Sequence, residues 1–292
     1  MQVFDHARLA QARARAGAAR AELAMSAFAR LLDRLDDTTR RFESALVLGA
    51  GAEASAALRA RGIGQVASAD LAPGLAPDMV CGTEAVPFAA AAFDLIVAPW
   101  HLHWVNDLPG LLRQLRQALR PDGLLLANLP ALGTLAELRD ALIGAEAELT
   151  GRAAPRVSPF ADLRDGAGLL QRAGFALPVA DADRLTLAYR EPLALLAELR
   201  AAGETNCVLA RARQPLRRAV LAEALARLPR GNDGRVPVSL VAMTLTGWAP
   251  APSQPRALRP GSATTRLAEA LGASEQPAGE APAGLPHPPA TG

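Results

Sequence analysis

Glu-Ala-Val-Pro-Phe (84–88), Phe-Asp-Leu-Ile-Val (93–97), His-Trp-Val-Asn-Asp-Leu-Pro (103–109) and Leu-Arg-Pro-Asp-Gly (119–123) follow one another with little between them. A turn with a rigid proline leads into 93–97, an apolar run short enough for a strand buried on both faces. A polar break follows. Asp107 is placed to cap a helix that carries Leu108, Leu111, Leu112, Leu115 and Leu119 on one face. Pro121-Asp122-Gly123 stops that helix and turns into a second apolar run, 124–126. Strand, helix, strand is one right-handed crossover of an open α/β sheet.

The pattern extends in both directions. Upstream, 45–48 is a short apolar strand running into Gly49-Ala50-Gly51, 54–60 is helical, and 65–69 is a second strand ending at Asp70. Residues 79–81 make a third strand, and 4–35 predict one or two helices with an arginine-rich polar face. Downstream, Thr134-Leu-Ala-Glu137 reads as a capping box, and Ser158-Pro159 as the start of a helix ending at Gly174. An extended strand over 177–189, helices over 192–202 and 215–228, and a long alternating strand over 236–248 complete the pattern. The expected division is N-terminal helices (1–40), an α/β sheet domain (41–249) with a helical insertion within 133–228, and a mostly disordered Pro/Ala/Gly-rich tail (250–292) with a short helix at 264–271.

Half of the 292 residues are hydrophobic, enough for a large core. The formal net charge is only +2, and the basic residues, all arginine, are dispersed, which argues against a nucleic-acid binder. Cys81 and Cys207 are too few for a disulfide framework and lack metal-ligand spacing. No apolar run is long enough to span a bilayer. The arginine-rich start lacks a hydrophobic signal region, and Asp5 and Glu22 argue against a mitochondrial leader. The expectation is a cytoplasmic protein with no membrane span and no nucleic-acid partner.

A doubly wound sheet binds its ligand at the carboxyl ends of its strands, where strand order reverses. Gly49 and Gly51 follow the first strand, where missing side chains let a ligand approach the backbone. Asp70 ends the second strand, where a carboxylate can accept both hydrogen bonds of a ribose diol. Gly82, Thr83 and Glu84 follow the third, near where an adenine ring would rest. Each feature also has a plain reading: two glycines in a tight turn and a solvated loop acid. Together, and in this order, they favour a nucleoside site.

The order and spacing of these pieces resemble a class I S-adenosylmethionine-dependent methyltransferase. That implies a Rossmann-like, seven-stranded methyltransferase sheet with an antiparallel end, N-terminal helices and a helical insertion, and S-adenosylmethionine as cofactor. On the same resemblance Leu48, Gly49, Gly51, Asp70, Leu71, Gly82, Thr83, Glu84 and Ala98 line the cofactor site. Three positions depart from the family pattern: Val47 stands where an acid helps hold the methionine ammonium, Glu53 where a third glycine is usual, and Gly82 where an aspartate meets adenine. His101 also replaces a usually small residue.

Gly-Thr-Leu-Ala-Glu-Leu-Arg (133–139), Val-Ser-Pro-Phe (157–160), Gly-Glu-Thr-Asn-Cys (203–207), Asn-Asp-Gly-Arg-Val-Pro (232–237) and Gly-Ser-Ala-Thr (261–264) extend the likeness. With 103–109 they resemble the mitochondrial complex I assembly factor 5 family and its bacterial relatives. That family is credited with hydroxylating an arginine of a quinone-module subunit. The implied partner is a respiratory complex I subunit or assembly intermediate, and the implied work is methylation or hydroxylation of a protein side chain. The alternatives are O-methylation of a small or carrier-bound acid, as in the more distantly similar malonyl-carrier-protein methyltransferases, and a non-catalytic assembly chaperone with a degenerate cofactor site.

His103 and Asn106 are the candidate catalytic residues. His103 can act as a general base or orient a substrate group, or it can simply pack with Trp104 over the sheet edge. His101 and His103 share a strand face if the strand extends, but no carboxylate or cysteine stands at a suitable local spacing, and no metal is expected. Glu204, Thr205 and Asn206 are either a helix C-terminal turn capped by Gly203 or a substrate-specific wall. Arg156 and Arg164 can meet an acidic substrate or form a solvated face.

Overall fold

The computed structural model describes residues 2–73, 76–255, 262 and 264–274 (for 17–24 the backbone only). Contacts divide the chain after Pro252. The first unit is built on one seven-stranded sheet: β1 Ser44–Leu48, β2 Gln65–Asp70, β3 Met79–Val80, β4 Phe93–Pro99, β5 Leu119–Pro130, β6 Ala176–Tyr189 and β7 Val236–Trp248. Their order is β3-β2-β1-β4-β5-β7-β6. The first five run parallel, and β7 is antiparallel to both β5 and β6. Strand order reverses between β1 and β4, so their carboxyl ends frame a ligand crevice. Every residue of β1 and β4 is buried, as expected of parallel strands covered on both sides.

The covering helices divide the core into faces. On one face Phe28 and Leu31 of α1 (His6–Asp36) and Leu58 of α2 (Gly51–Ala60) pack on Val47, Leu95, Val97 and Leu126. On the other, Leu111, Leu112 and Leu115 of α3 (Leu108–Ala118) and Leu170 of α5 (Leu163–Arg172) cover Leu46, Ile96, Leu125 and Leu245. Burying each of the α3 leucines is worth about 1.5–3 kcal/mol. A further core joins α4 (Ala136–Thr150), α6 (Pro192–Ala201) and α7 (Arg218–Ala226) to Val236 and Val238, at the start of β7. This is the helical insertion. Asp107 caps α3 by accepting a hydrogen bond from the Gly110 amide at 2.9 Å.

Several local expectations are corrected. Of the one or two helices expected over 4–35 the chain forms one, capped by Asp5. Thr134 and Glu137 do not form a capping box. The Thr134 hydroxyl exchanges hydrogen bonds with the Val241 backbone, and the Glu137 carboxylate accepts from the Ser239 amide and hydroxyl. The β7 backbone therefore claims both side chains, and Leu135 enters α4 with φ +53°. Ser158-Pro159 does not open α5: the cap is Asp162, which accepts from the Arg164 amide at 3.0 Å. In the second unit, α8 spans Leu267–Leu271, shorter than the expected 264–271. The expected disorder of the tail falls largely outside the described residues. Among the described residues no helix is long and apolar enough to cross a membrane.

Candidate functional site

Gly49 and Gly51 lie at the carboxyl end of β1 with φ of +81° and +69°, a backbone that favours glycine. Leu48 ends β1 and Ala98 is the last residue but one of the neighbouring β4, both buried. Val47 is buried in the core, and Glu53 turns out to solvent in the first turn of α2. Asp70 ends β2 with 1% of its surface exposed. The topology thus gathers Leu48, Gly49, Gly51, Asp70 and Ala98 at one end of the sheet, where a nucleoside would bind.

That end is already filled from within. Arg13 of α1 is fully buried, and its Nη1 donates to Asp70 Oδ2 at 3.2 Å and lies 3.1 Å from His101 Nδ1. His101 is brought there by Trp100, whose left-handed backbone (φ +51°) turns the chain back as it leaves β4. Asn128 holds that turn, accepting from the Trp100 amide at 3.1 Å and donating to the Ala27 carbonyl at 2.6 Å. The imidazole presses so closely on the glycine turn that a Cβ on Gly49 would lie 2.6 Å from its Nδ1.

The chemistry of the donor set suits S-adenosylmethionine, with bare glycine backbone for the amino-acid end and a carboxylate for the ribose. The space does not. The cavity lined by Leu48, Asp70, Cys81, Gly82, Thr83 and His101 measures about 10 Å³, whereas small-molecule sites are of the order of 300–1,000 Å³. In this arrangement the residues do not accommodate the cofactor.

The other expected cofactor residues have partners of their own. Thr83 is buried, and its hydroxyl lies 3.0 Å from His6 Nε2. Glu84 accepts from the amides of Asn106 and Asp107 at 2.7 and 2.9 Å, so it braces the start of α3. Leu71 packs with Phe4, Leu9 and Trp104. Gly82 remains on the cavity wall.

Beyond this end lies a second buried cluster. His103 Nε2 is 2.9 Å from Glu204 Oε2, with side-chain exposures of 3% and 9%. The Trp104 indole donates to the same oxygen at 3.2 Å. A carboxylate on Nε2 orients the ring and fixes its tautomer, the arrangement used to hand protons to and from a substrate. Glu204 is held by the end of α6. Gly203, at φ +75°, closes the helix, and the Glu204 amide donates back to the Leu199 carbonyl at 2.8 Å. Gly203 also lies against α1, where a Cβ would come within 3.1 Å of Ala16.

Asn106 stands apart from this pair. Its Oδ1 accepts from the amides of Val3 and Phe4 at 2.6 and 2.8 Å, and its Nδ2 donates to the Phe4 carbonyl. It anchors the N-terminal arm. The arm continues along 203–211: Phe4 bridges to Val208, the Asp5 amide donates to the Cys207 carbonyl, and Leu209 donates back to Val3. The sequence offered no sign of the arm's partners, which lie about two hundred residues away. Burial pushes the Cys207 thiol up to about 11, and burial with the nearby Asp70 charge raises Cys81, so both thiols are neutral at neutral pH.

His101 and His103 diverge, one to Arg13 and one to Glu204, and no group of three metal-ligating side chains occurs among the described residues. Arg156 is engaged by Glu146. Outside the arm an open groove of about 720 Å³ is lined by Asp5, Arg8, Arg156, Asn206, Arg211 and Arg213. Its guanidinium groups suit an anionic visitor rather than a cationic side chain.

Residues 46–127 match a family model described as a methyltransferase domain. The protein described as "Arginine-hydroxylase NDUFAF5, mitochondrial" from Danio rerio is 33% identical over 253 residues, covering 82% of this chain and 79% of its own length. The chain belongs to the NDUFAF5 family. The Homo sapiens protein of the same description is 35% identical, covering 82% of this chain and 73% of its own length. A "Malonyl-[acyl-carrier protein] O-methyltransferase" from Laribacter hongkongensis is 34% identical over 183 residues, or 62% of this chain and 59% of that protein. The NDUFAF5 family membership and the strand order together make this a class I S-adenosylmethionine-dependent methyltransferase fold, as expected from the sequence. In this NDUFAF5 relative, the resemblance runs well past the methyltransferase domain.

Proposed function

We propose that this protein modifies an arginine side chain of a respiratory complex I subunit or assembly intermediate, either by methylation, with His103 and Glu204 taking the proton that the guanidinium nitrogen loses, or by hydroxylation, with a two-electron oxidant such as dioxygen supplied from outside the chain. The observation that carries this reading is the buried 2.9 Å pair itself. It joins residue types suited to a guanidinium: a carboxylate that can accept its N–H groups and an imidazole that can take its proton. The likeness to proteins described as arginine hydroxylases extends over 82% of the chain, against 62% for the malonyl-carrier-protein methyltransferase, which favours arginine over a carrier-bound acid. S-adenosylmethionine is the proposed cofactor, held at Gly49, Gly51 and Asp70 once Arg13 has moved away.

A second reading is supported by the Arg13–Asp70 ion pair and by Val47: an assembly factor that works by binding alone. One experiment separates the two. Complex I from cells lacking the gene, complemented with wild type or with Glu204→Gln, is digested and its arginine peptides weighed. The enzyme reading expects a one-carbon or one-oxygen increase on one arginine with wild type and its loss with Glu204→Gln. An arginine that stays unmodified with wild type overturns it. Full complex assembly by Glu204→Gln alongside that result would favour the scaffold.

A further inference from the structure

The nucleoside end of this fold is closed by parts of the chain that belong to different elements. Arg13 comes from the first turns of α1, and His101 from the turn after β4. Arg13 reaches the carboxylate and His101 the glycine turn on which the fold's ligand depends, and both are buried, at 0% and 5% exposure. An arginine at that depth beside a carboxylate is a stand-in ligand. It satisfies Asp70 with the two-oxygen contact (3.4 and 3.2 Å) that a ribose diol would otherwise make.

We propose that Arg13 and His101 form a removable plug, and that a nucleoside enters this site only when the N-terminal segment 3–13 lifts from the sheet. The proposal rests on reading Gly49 to Asp70 as the family's nucleoside site. It goes beyond the proposed reaction by linking the cofactor end to the 203–211 segment. The segment's anchors explain why the plug can leave as a unit. Val3 and Phe4 hold to Asn106, Asp5 to the Cys207 carbonyl, His6 to Thr83 and the Trp104 carbonyl, and Arg8 to the Asn206 carbonyl. Inside these ties Phe4, Leu9 and Ala12 pack with Trp104, Cys207 and Val208 in a small apolar cluster of their own, separate from the larger core that α1 joins further along, at Phe28 and Leu31.

Several of these anchors lie on 204–208, beside Glu204. A partner that displaces the arm from that segment therefore also withdraws Arg13 from Asp70. Coupling is reciprocal, so the same partner would raise nucleoside affinity and the nucleoside would raise the partner's. The plug acts as a tax on binding: apparent affinity falls by the fraction of molecules that are open.

The test is calorimetric titration of the full chain with S-adenosylhomocysteine, beside hydrogen–deuterium exchange of residues 3–16. His101→Ser frees the glycine turn without orphaning a buried charge. Arg13→Gln shortens the plug while leaving Asp70 a donor. Each variant is expected to bind about tenfold or more tightly than wild type, and saturating S-adenosylhomocysteine is expected to speed exchange in 3–16 of the wild-type chain. Equal affinities in all three proteins overturn the plug. So does ligand that binds while protecting 3–16, or a folded His101→Ser that binds nothing. Failure of the arginine reading looks different: the ligand binds and the arm opens, but the arginine peptides of complex I keep their mass.

Discussion

The two ends of the crevice each hold a buried acid against a base, yet they are built differently. At the nucleoside end, Asp70 is bound by a side chain from a helix that reaches in from outside the sheet. At the other, His103 comes from a single 3-10 turn (Leu102–Trp104) and Glu204 from the end of α6, and Trp104 seals them from the side, its ring edge-on to Phe4 at 5.3 Å. The first pair occupies the residue that the fold reserves for a ligand. The second pairs its histidine and carboxylate with each other. One end is plugged by a helix and the other is closed by side chains from a turn and a helix end, and the same N-terminal arm lies across both.

The sharpest way to break that comparison is Arg13→Ala. It leaves Asp70 buried without its cation and is expected to cost about 3–5 kcal/mol in urea unfolding. A loss below about 1 kcal/mol would mean that Asp70 is neutralised in some other way, and the nucleoside end would no longer count as shut. Glu204→Ala removes an acceptor shared by His103 and Trp104, and should cost about 2 kcal/mol. If it costs nothing, the second end is not a built pair.

Smaller effects serve as controls. Asp107→Ala deletes the α3 cap and should lower stability by about 1 kcal/mol without changing S-adenosylhomocysteine affinity. A change in affinity would show that the loop between the two ends transmits between them. The smallest effect belongs to the insertion, where the Arg156 guanidinium hydrogen-bonds Glu146 and holds its carboxyl below the ordinary value of 4.5. That contribution is full above 4.5 and is lost as pH falls through the lowered value. The melting-temperature gap between wild type and Arg156→Ala should therefore shrink on acidification; a constant gap would assign Arg156 a packing role instead.

The sequence was most legible where local signals and burial agree. The 93–97 run, the Asp107 cap and the leucine stripe of α3 as far as Leu115 each predict their element, because parallel strands and amphipathic helices announce their surroundings in their spacing. Leu119, expected on that helix, instead opens β5, which runs on through Pro121-Asp122-Gly123. Gly49, Gly51 and Asp70 were legible for the same reason, standing at strand ends. Thr134 and Glu137 misled because a local capping motif competed with the β7 backbone more than a hundred residues away. Arg13 was not legible at all. In a chain whose basic residues are all arginine, nothing local distinguishes the one that turns inward, and its partner is 57 residues away. Glu204 stood out as part of a polar cluster, but its partner His103 could only be found in three dimensions.

The bridge from Phe4 to Val208 also bears on how this molecule is made. The sheet strands β1 to β5 can pair as they leave the ribosome, since each finds its neighbour within a short stretch of chain. The arm cannot. Synthesised before its partner, it must wait for residues 203–211, about two hundred residues later, at about 5–20 residues per second. Until then the arm has Asn106, Thr83 and Trp104 but not Val208 to hold it, so the cover over Asp70 and the glycine turn receives its last clamp seconds after the sheet beneath it can form.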